Sequence, residues 1–349
     1  MAIFRTIVFT KTPLRKAFRY KDVFQLVPYT KEFKPEVSRY AVDYPCFLEY
    51  SLPDDNCDGK AQWDKDRELP ILLTAFSIYR VFIYDFYASS WGVRYPVFSY
   101  DYVINELEED EKDILKEDPV FYYPSFHYQD PTHKLKDNIF SGVAEADMMS
   151  LRQQYGLYFD LEQDRYDIRN DKTEITFSEE TVKCFDAFFT MDEEKQKKIY
   201  SAARLISDCI ALKHYRHSLS FMAGVAALET LADLVSNDKD LIKEDCPLCH
   251  HIAASPYTCQ KCGRPIWGVT AKVKNFLKEY VSSDDVDVRN YNKIYNLRSK
   301  ITHTGDIFTR DSIYDSDENK MIKENQMKYK LIEYARRGMI SVMMKGLRP

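Results

Sequence analysis

Two residues in the segment IYNLRSKITHTGD, Ile294 to Asp306, have the chemistry to act on RNA: Arg298 and, five positions later, His303. Arginine presents a rigid fork of donors that suits a phosphate. Histidine is the side chain most readily used as acid or base near neutral pH. Together they would cleave RNA without a metal ion. The histidine would deprotonate a ribose 2'-OH or protonate the leaving 5' oxygen, while the arginine stabilises the charge developing around phosphorus. DNA, lacking the 2'-OH, would be inert. The spacing sets a condition: on a straight α-helix five residues turn about 500°, so the two side chains point roughly 140° apart. They converge only if the helix ends near His303 or if a second copy of the chain completes the site. Thr304-Gly305 favours a helix end, because glycine is the preferred residue just past a helix C-terminus. A histidine in the last turn would feel the negative end of the helix dipole, which favours its protonated form. On residue types and spacing alone, the simpler reading is two polar groups satisfying carbonyls at a helix end.

The second chemical constellation is CPLCHHIAASPYTCQKCG, in which Cys246-x2-Cys249 and Cys259-x2-Cys262 stand close together. Two CxxC pairs are what a tetrahedral Zn2+ site needs, each pair wrapping one side of the ion. Four thiolates leave no open position for water, so the expected zinc is structural, one per chain. Pro247 stiffens the first knuckle, and Gly263 follows the second, where a positive φ would suit the turn. His250 and His251 are expected to face solvent. Lys261 and Arg264 stand at the tip of this insert, residues 243–268, and are candidates to touch RNA. The remaining cysteines, Cys46, Cys57, Cys184 and Cys209, show no ligand spacing, and Cys209 lies on an apolar helix face.

The elements that must position these groups change character near residue 178. Before it, RTIVFTK, VFQLVPY, YAVDYPCFLEYSL and EITFS are short β-like runs. Pro45 suggests that the third is an edge strand or two shorter pieces. The apolar run from Leu69 to Gly92 fits a buried helix or two strands, and Asn105–Asp118 is an acidic, helix-prone surface segment. Residues 1–177 therefore read as a mixed α/β domain with a sensing or recognition role. After 178 the spacing is helical. Thr190 with Glu193 forms a capping-box pattern before Ile199, Ala203, Ile206 and Ile210. SLSFMAGVAALETLADLV is apolar around most of its circumference and should be central in a bundle. His214 and His217 read as surface or helix-end residues. Further helices are expected over VTAKVKNFLKEYV, NYNKIYNLRSKITH and about 325–345, giving an all-α domain at 178–349.

Bulk properties narrow the function. The chain has 349 residues, 45% hydrophobic, with 26 Tyr and 21 Phe against only 10 Gly and 14 Pro, which excludes long low-complexity tracts. A net charge of -6 excludes nucleic-acid binding through bulk charge, so any such contact rests on a local patch. The best one is KTPLRKAFRYK, with Lys11, Arg15, Lys16 and Arg19 interleaved with aromatics and no acid. The N-terminus lacks the apolar core of a signal peptide. Arg80 and Asp85 interrupt the 69–92 run, which falls short of a membrane span. The expected location is the reducing cytoplasm, away from membranes. Walker, GxGxxG, HExxH and GxSxG patterns are absent from the sequence.

IYNLRSKITHTGD resembles the Arg-x4-His segment of HEPN domains, specifically the Apea-like HEPN group, and FMAGVAALETLADL resembles an earlier helix of that domain. A zinc knuckle between these helices fits it too, and the resemblance covers roughly residues 178–349. It implies an α+β two-domain chain: the mixed α/β domain, then an all-α HEPN-like bundle with a small zinc-ribbon insert. It also implies a metal-independent endoribonuclease acting on single-stranded RNA or tRNA in an antiphage defence or toxin role. Two protomers would pair so that two motifs meet in one cleft, with an unknown trigger or partner protein at the first domain. Carried over, Arg298 binds phosphate and stabilises the transition state, and His303 is the general acid/base. Ser299 stands where the family often has Asn, Asp or His, so its support for the arginine would be weaker. Glu229, a carboxylate in an apolar helix, would orient Arg298 or the histidine or form a structural salt bridge. Tyr295 lies one turn before Arg298. The alternative is a non-catalytic dimerisation, nucleic-acid- or ligand-binding module with a structural zinc.

Overall fold

Alternating apolar residues in the first fifty positions build strands that pair antiparallel. The structure is a computed structural model and describes residues 2–10, 14, 16–21, 23–28, 44–52, 59–77, 81–84, 128–129, 142–145, 175, 177–236, 249, 261–262 and 269–345. The acidic segment Asn105–Asp118 lies outside the described residues. The chain divides into two compact units, Met1–Val182 and Lys183–Pro349. The layout is α+β, with an antiparallel sheet in the first unit and helices dominating the second.

The sheet has strands β1 (Ala2–Thr10), β2 (Lys16–Tyr20), β3 (Phe24–Pro28), β4 (Tyr44–Leu52), β5 (Ile83–Tyr84), β6 (Tyr128–Gln129) and β7 (Gly142–Glu145). They run in the order β5-β1-β4-β3-β2-β7, and β6 pairs with β1 at Phe4 and Arg5. Register puts Val8, Cys46, Leu48, Tyr50, Phe24, Leu26, Phe18 and Tyr20 on one face, and all are buried. Helix α1 (Gly59–Ala75) covers this face: Tyr50 donates its hydroxyl to Asp66 Oδ1 at 2.8 Å. Thr74 Oγ1 accepts from the Ile83 amide at 2.9 Å, tying β5 to the end of α1. The apolar 69–92 run thus begins as the end of a helix and then turns into a strand. β4 is one nine-residue central strand, not an edge or two pieces. Pro45 is tolerated because it sits next to the strand's first residue, and β3 stops pairing at Pro28 opposite Cys46.

The opposite face carries a polar row. Arg19 stands across from Gln25, Gln25 across from Glu49, and Glu49 across from Arg5. Gln25 donates its side-chain amide to Glu49, and both are buried.

Helix α2 (Glu179–Thr190) precedes α3 (Glu193–Leu212), α4 (His217–Val235), α5 (Val269–Tyr280), α6 (Asp285–Thr304), a short 3-10 turn (Thr309–Asp311) and α7 (Glu318–Lys345). The cap of α3 is not Thr190. Its hydroxyl turns back to Asp186 O at 2.9 Å, and Asp192 accepts from the Lys195 amide at 2.9 Å instead. α4 is the core helix and packs on α3, α5, α6 and α7. It is long and apolar enough to cross a membrane by length and composition, yet these neighbours cover half of it. Gly224 lets α4 approach so closely: an added Cβ would stand 2.9 Å from Leu331 Cδ2 and 3.0 Å from Cys209 Sγ. α7 starts two turns earlier than its apolar periodicity indicates, because Asp317 accepts from the Asn319 amide at 2.9 Å and caps its polar first turns.

The start of α4 has no side-chain cap of its own. Asp311, 93 residues beyond Ser218, supplies one by accepting from the amides of His217 at 2.9 Å and Ser218 at 2.5 Å. Ser218 Oγ in return accepts from the Phe308 amide at 2.8 Å. Beneath this clasp Lys328 is buried, donating to Lys213 O at 2.6 Å and reaching His217 Nδ1 at 2.7 Å. His217 is therefore an interior residue. Burial, then the nearby Lys328 charge, pushes its pKa below the usual value.

Candidate functional site

α6 carries both members of the Arg–His motif. Asp284 caps its start by accepting from the Val286 amide at 2.8 Å, and Gly305 ends it in the left-handed conformation at φ 71°. Neighbouring elements hold its buried side: Asn290 Nδ2 donates to Tyr334 OH of α7 at 3.1 Å, and Tyr291 OH donates to Ser282 O at 2.9 Å. The helix stays regular through Thr304, so it ends too late to swing His303 back toward Arg298. By helical geometry the two side chains remain roughly 140° apart within one chain.

Arg298 is half-buried beside α4, where Glu229 Oε1 stands 3.7 Å from its Nε. That is an ion-pair distance, beyond a hydrogen bond, and the buried Nε makes no hydrogen bond. Tyr295 is buried one turn earlier, with its hydroxyl 3.5 Å from the same carboxylate oxygen. Burial raises the Glu229 carboxyl above its ordinary pKa, and the Arg298 charge opposes that rise. Burial, reinforced by Glu229, pushes the Tyr295 hydroxyl upward as well, which makes it a donor and not a base. Glu229 and Tyr295 thus gather at Arg298, not at His303.

His303 is exposed in the last turn of α6. Ser299 is also exposed and lies four residues before it, on the histidine's side of the helix and not the arginine's. One further group escaped sequence reasoning. Asp233 follows Glu229 by one turn of α4 and pairs with Lys272 of α5, extending the row of alternating charge beside Arg298. Its signal was the i, i+4 spacing of two carboxylates in an apolar helix.

Of the four-cysteine set, Cys249 and Cys262 are described; Cys246 and Cys259 lie outside the described residues. The two sulfurs are 3.8 Å apart and not disulfide-bonded. A disulfide would hold them at about 2.05 Å. Two thiolates at about 2.3 Å from a tetrahedral Zn2+ stand about 3.8 Å apart. The residues therefore fit a zinc ion. Lys261 beside Cys262 is exposed, and Arg264 lies outside the described residues.

The N-terminal basic patch is less open than its composition implies. Lys11 and Arg15 lie outside the described residues, and Lys16 opens β2 across from Glu145. Arg19 is only 9% exposed. Strand alternation puts it in the buried polar row, on the face opposite Phe18 and Tyr20, with its Nε donating to Lys21 O at 2.7 Å.

No family model, no curated protein and no solved structure matches this chain.

Proposed function

We propose that the chain is a metal-independent endoribonuclease of HEPN type, acting on single-stranded RNA or tRNA in a cytoplasmic defence or toxin role. The observation that carries this reading is the placement of Arg298: Glu229 stands 3.7 Å from the buried Nε and steers the guanidinium, while the side chain as a whole stays partly exposed. The exposed remainder of the guanidinium then serves as a pre-oriented donor for a phosphate. His303, exposed at the helix end, serves as the acid/base. In the reaction the 2' oxygen bonds to phosphorus and the P–O5' bond breaks. Proton transfer through histidine leaves a 2',3'-cyclic phosphate and a free 5'-hydroxyl. Because the two groups diverge on α6, two chains pair so that two motifs share one cleft. The zinc held by Cys246, Cys249, Cys259 and Cys262 supplies rigidity to residues 243–268 and no chemistry. Residues 1–177 take the trigger.

The divergence of Arg298 and His303 also favours a second reading, a non-catalytic binding or dimerisation module. Incubation of the wild type, Arg298→Ala and His303→Ala with single-stranded RNA and tRNA in EDTA separates the two. The nuclease reading expects cleavage by the wild type alone, abolished by 2'-deoxy substitution. An equimolar mixture of the two variants should recover part of the activity through mixed dimers. Toxicity on overexpression should follow the same order. Equal behaviour of all three proteins in both assays leaves the binding module.

A further inference from the structure

Large apolar side chains that remain exposed are concentrated at one end of the helical unit. Of nine such residues among the described ones, five lie on two segments: Tyr215 and Leu219 at the α3–α4 turn, and Ile307, Ile313 and Tyr314 between α6 and α7. The clasp described above brings these segments together. Asp311 binds the His217 and Ser218 amides, Ser218 binds the Phe308 amide, and the Phe221 and Phe308 rings lie 5.2 Å apart. Tyr215 and Tyr314 are two and three residues from this clasp, so each is rooted within about 11 Å of it along the backbone. Tyr215 is 77% exposed and Tyr314 93% exposed.

Two guanidinium groups stand at this end. Arg216 and Arg310 are exposed, next to Tyr215 and to Asp311, and neither is ion-paired among the described residues. Three acids of the same segment are engaged, as Asp311 caps α4, Asp315 binds Lys320 at 2.6 Å and Asp317 caps α7, while Asp306 stays exposed. Two open tyrosine faces flanked by two unpaired guanidinium groups match a short single strand of nucleic acid: bases stack on the rings and phosphates meet the arginines.

We infer that the end formed by Tyr215, Arg216, Arg310 and Tyr314 is a docking platform for single-stranded RNA. The choice of RNA rests on the nuclease reading above; the stacking chemistry itself does not. Position links the platform to the site. α4 rises about 16 Å over the eleven residues from Ser218, at the clasp, to Glu229, beside Arg298. The chain itself runs from Arg298 through His303, in the last turn of α6, to Phe308 at the clasp. A strand held on the platform is therefore presented to the Arg–His region one end first. Stacking does not discriminate the sugar, so single-stranded DNA binds there too and inhibits without being cut.

The test is fluorescence anisotropy on the full chain with a labelled 2'-O-methyl RNA 12-mer, which cannot be cleaved, and a DNA 12-mer of the same sequence. The Tyr215→Ala/Tyr314→Ala variant should bind both at least tenfold more weakly, by the usual strength of base–aromatic stacking. Tyr215→Phe/Tyr314→Phe should stay within about twofold of wild type, because the ring and not the hydroxyl stacks. Arg216→Gln/Arg310→Gln should weaken binding and reduce the salt slope by roughly 1.4 for two phosphates. Thermal melting confirms that each exposed-site variant is folded. The platform is refuted if wild type fails to bind either oligonucleotide, or if the Ala variant binds as wild type does. Binding of a protein partner by this end with no oligonucleotide affinity has the same meaning. The two readings fail separately. Loss of binding in the Ala variant without RNA cleavage by wild type overturns the nuclease alone. Cleavage with unchanged KM in the Ala variant overturns the platform alone.

Discussion

Arg298 and His303 are held in different ways, and substitutions should separate them. His303 is exposed, so its replacement removes chemistry without disturbing packing. His303→Ala should lower RNA cleavage by roughly 10²–10⁴, the usual contribution of a positioned acid/base, with the melting temperature unchanged. Arg298→Ala should also lower cleavage, and it strands Glu229 in a half-buried position without its cation. Glu229→Gln should cost less activity than Arg298→Ala, because it removes the steering group and keeps the phosphate donor. Single-turnover rates beside thermal melts check all three; an active His303→Ala protein would sink the assignment. His217 offers a residue-scale prediction about stability. Its folded pKa lies below its unfolded value of about 6.5, so the unfolded state binds more protons as pH falls through that region. Stability should therefore decline below about pH 6.5. Lys328 faces it from α7, Asp311 and Arg310 from the 3-10 turn, and its own protonation would set two donors against each other. His217→Gln, which keeps an acceptor, should flatten the decline in melting temperature between pH 7 and 5.5.

At the scale of elements, two glycines do different work on either side of the site. At Gly224 the obstacle is space, since Leu331 and Cys209 already fill the position of a Cβ. Gly224→Ala should destabilise by roughly 1–3 kcal/mol through overpacking. At Gly305 nothing lies within 4 Å of an added Cβ, so the penalty is the backbone's alone. Gly305→Ala should lose about 1–2 kcal/mol, and Gly305→Asn less, because asparagine tolerates the left-handed region. Urea denaturation distinguishes the two. Much of this level was legible in the sequence. α4 was recognisable as central from its all-round apolar character, and the 500° arithmetic foresaw that Arg298 and His303 diverge. Other features depend on partners that the residue pattern does not reveal. Thr190 matched a capping pattern, yet its hydroxyl prefers the carbonyls of the helix it ends. Arg19 belonged to a basic run, yet register places it in the buried polar row beside Gln25 and Glu49. Asp311 carried no signal in the sequence, because nothing local reveals a partner 93 residues away.

For the whole molecule, charge and metal set the expected behaviour. With a net charge of -6, RNA should be attracted only at short range, so affinity should fall steeply between 50 and 200 mM salt. The 3.8 Å separation of Cys249 and Cys262 fits a zinc ion, and elemental analysis of folded protein should return about one per chain. A value well below one refutes the four-cysteine assignment. The four-cysteine pattern was legible because its members are local in sequence. The polar row of the sheet was not, because its members come from separate strands and meet only through register.

The clasp on α4 also orders events in time. As the chain leaves the ribosome, the most apolar helix of the second unit emerges with its first amides unsatisfied. Their acceptor arrives only when residue 311 has been made, and the lysine that braces it arrives later still, at residue 328. The cap of α4 is therefore complete only after both residues have emerged. A nascent chain halted before Asp311 already contains the whole Arg–His motif but holds it on an unfinished scaffold, so any catalytic competence would be acquired only after Asp311 and Lys328 have been made.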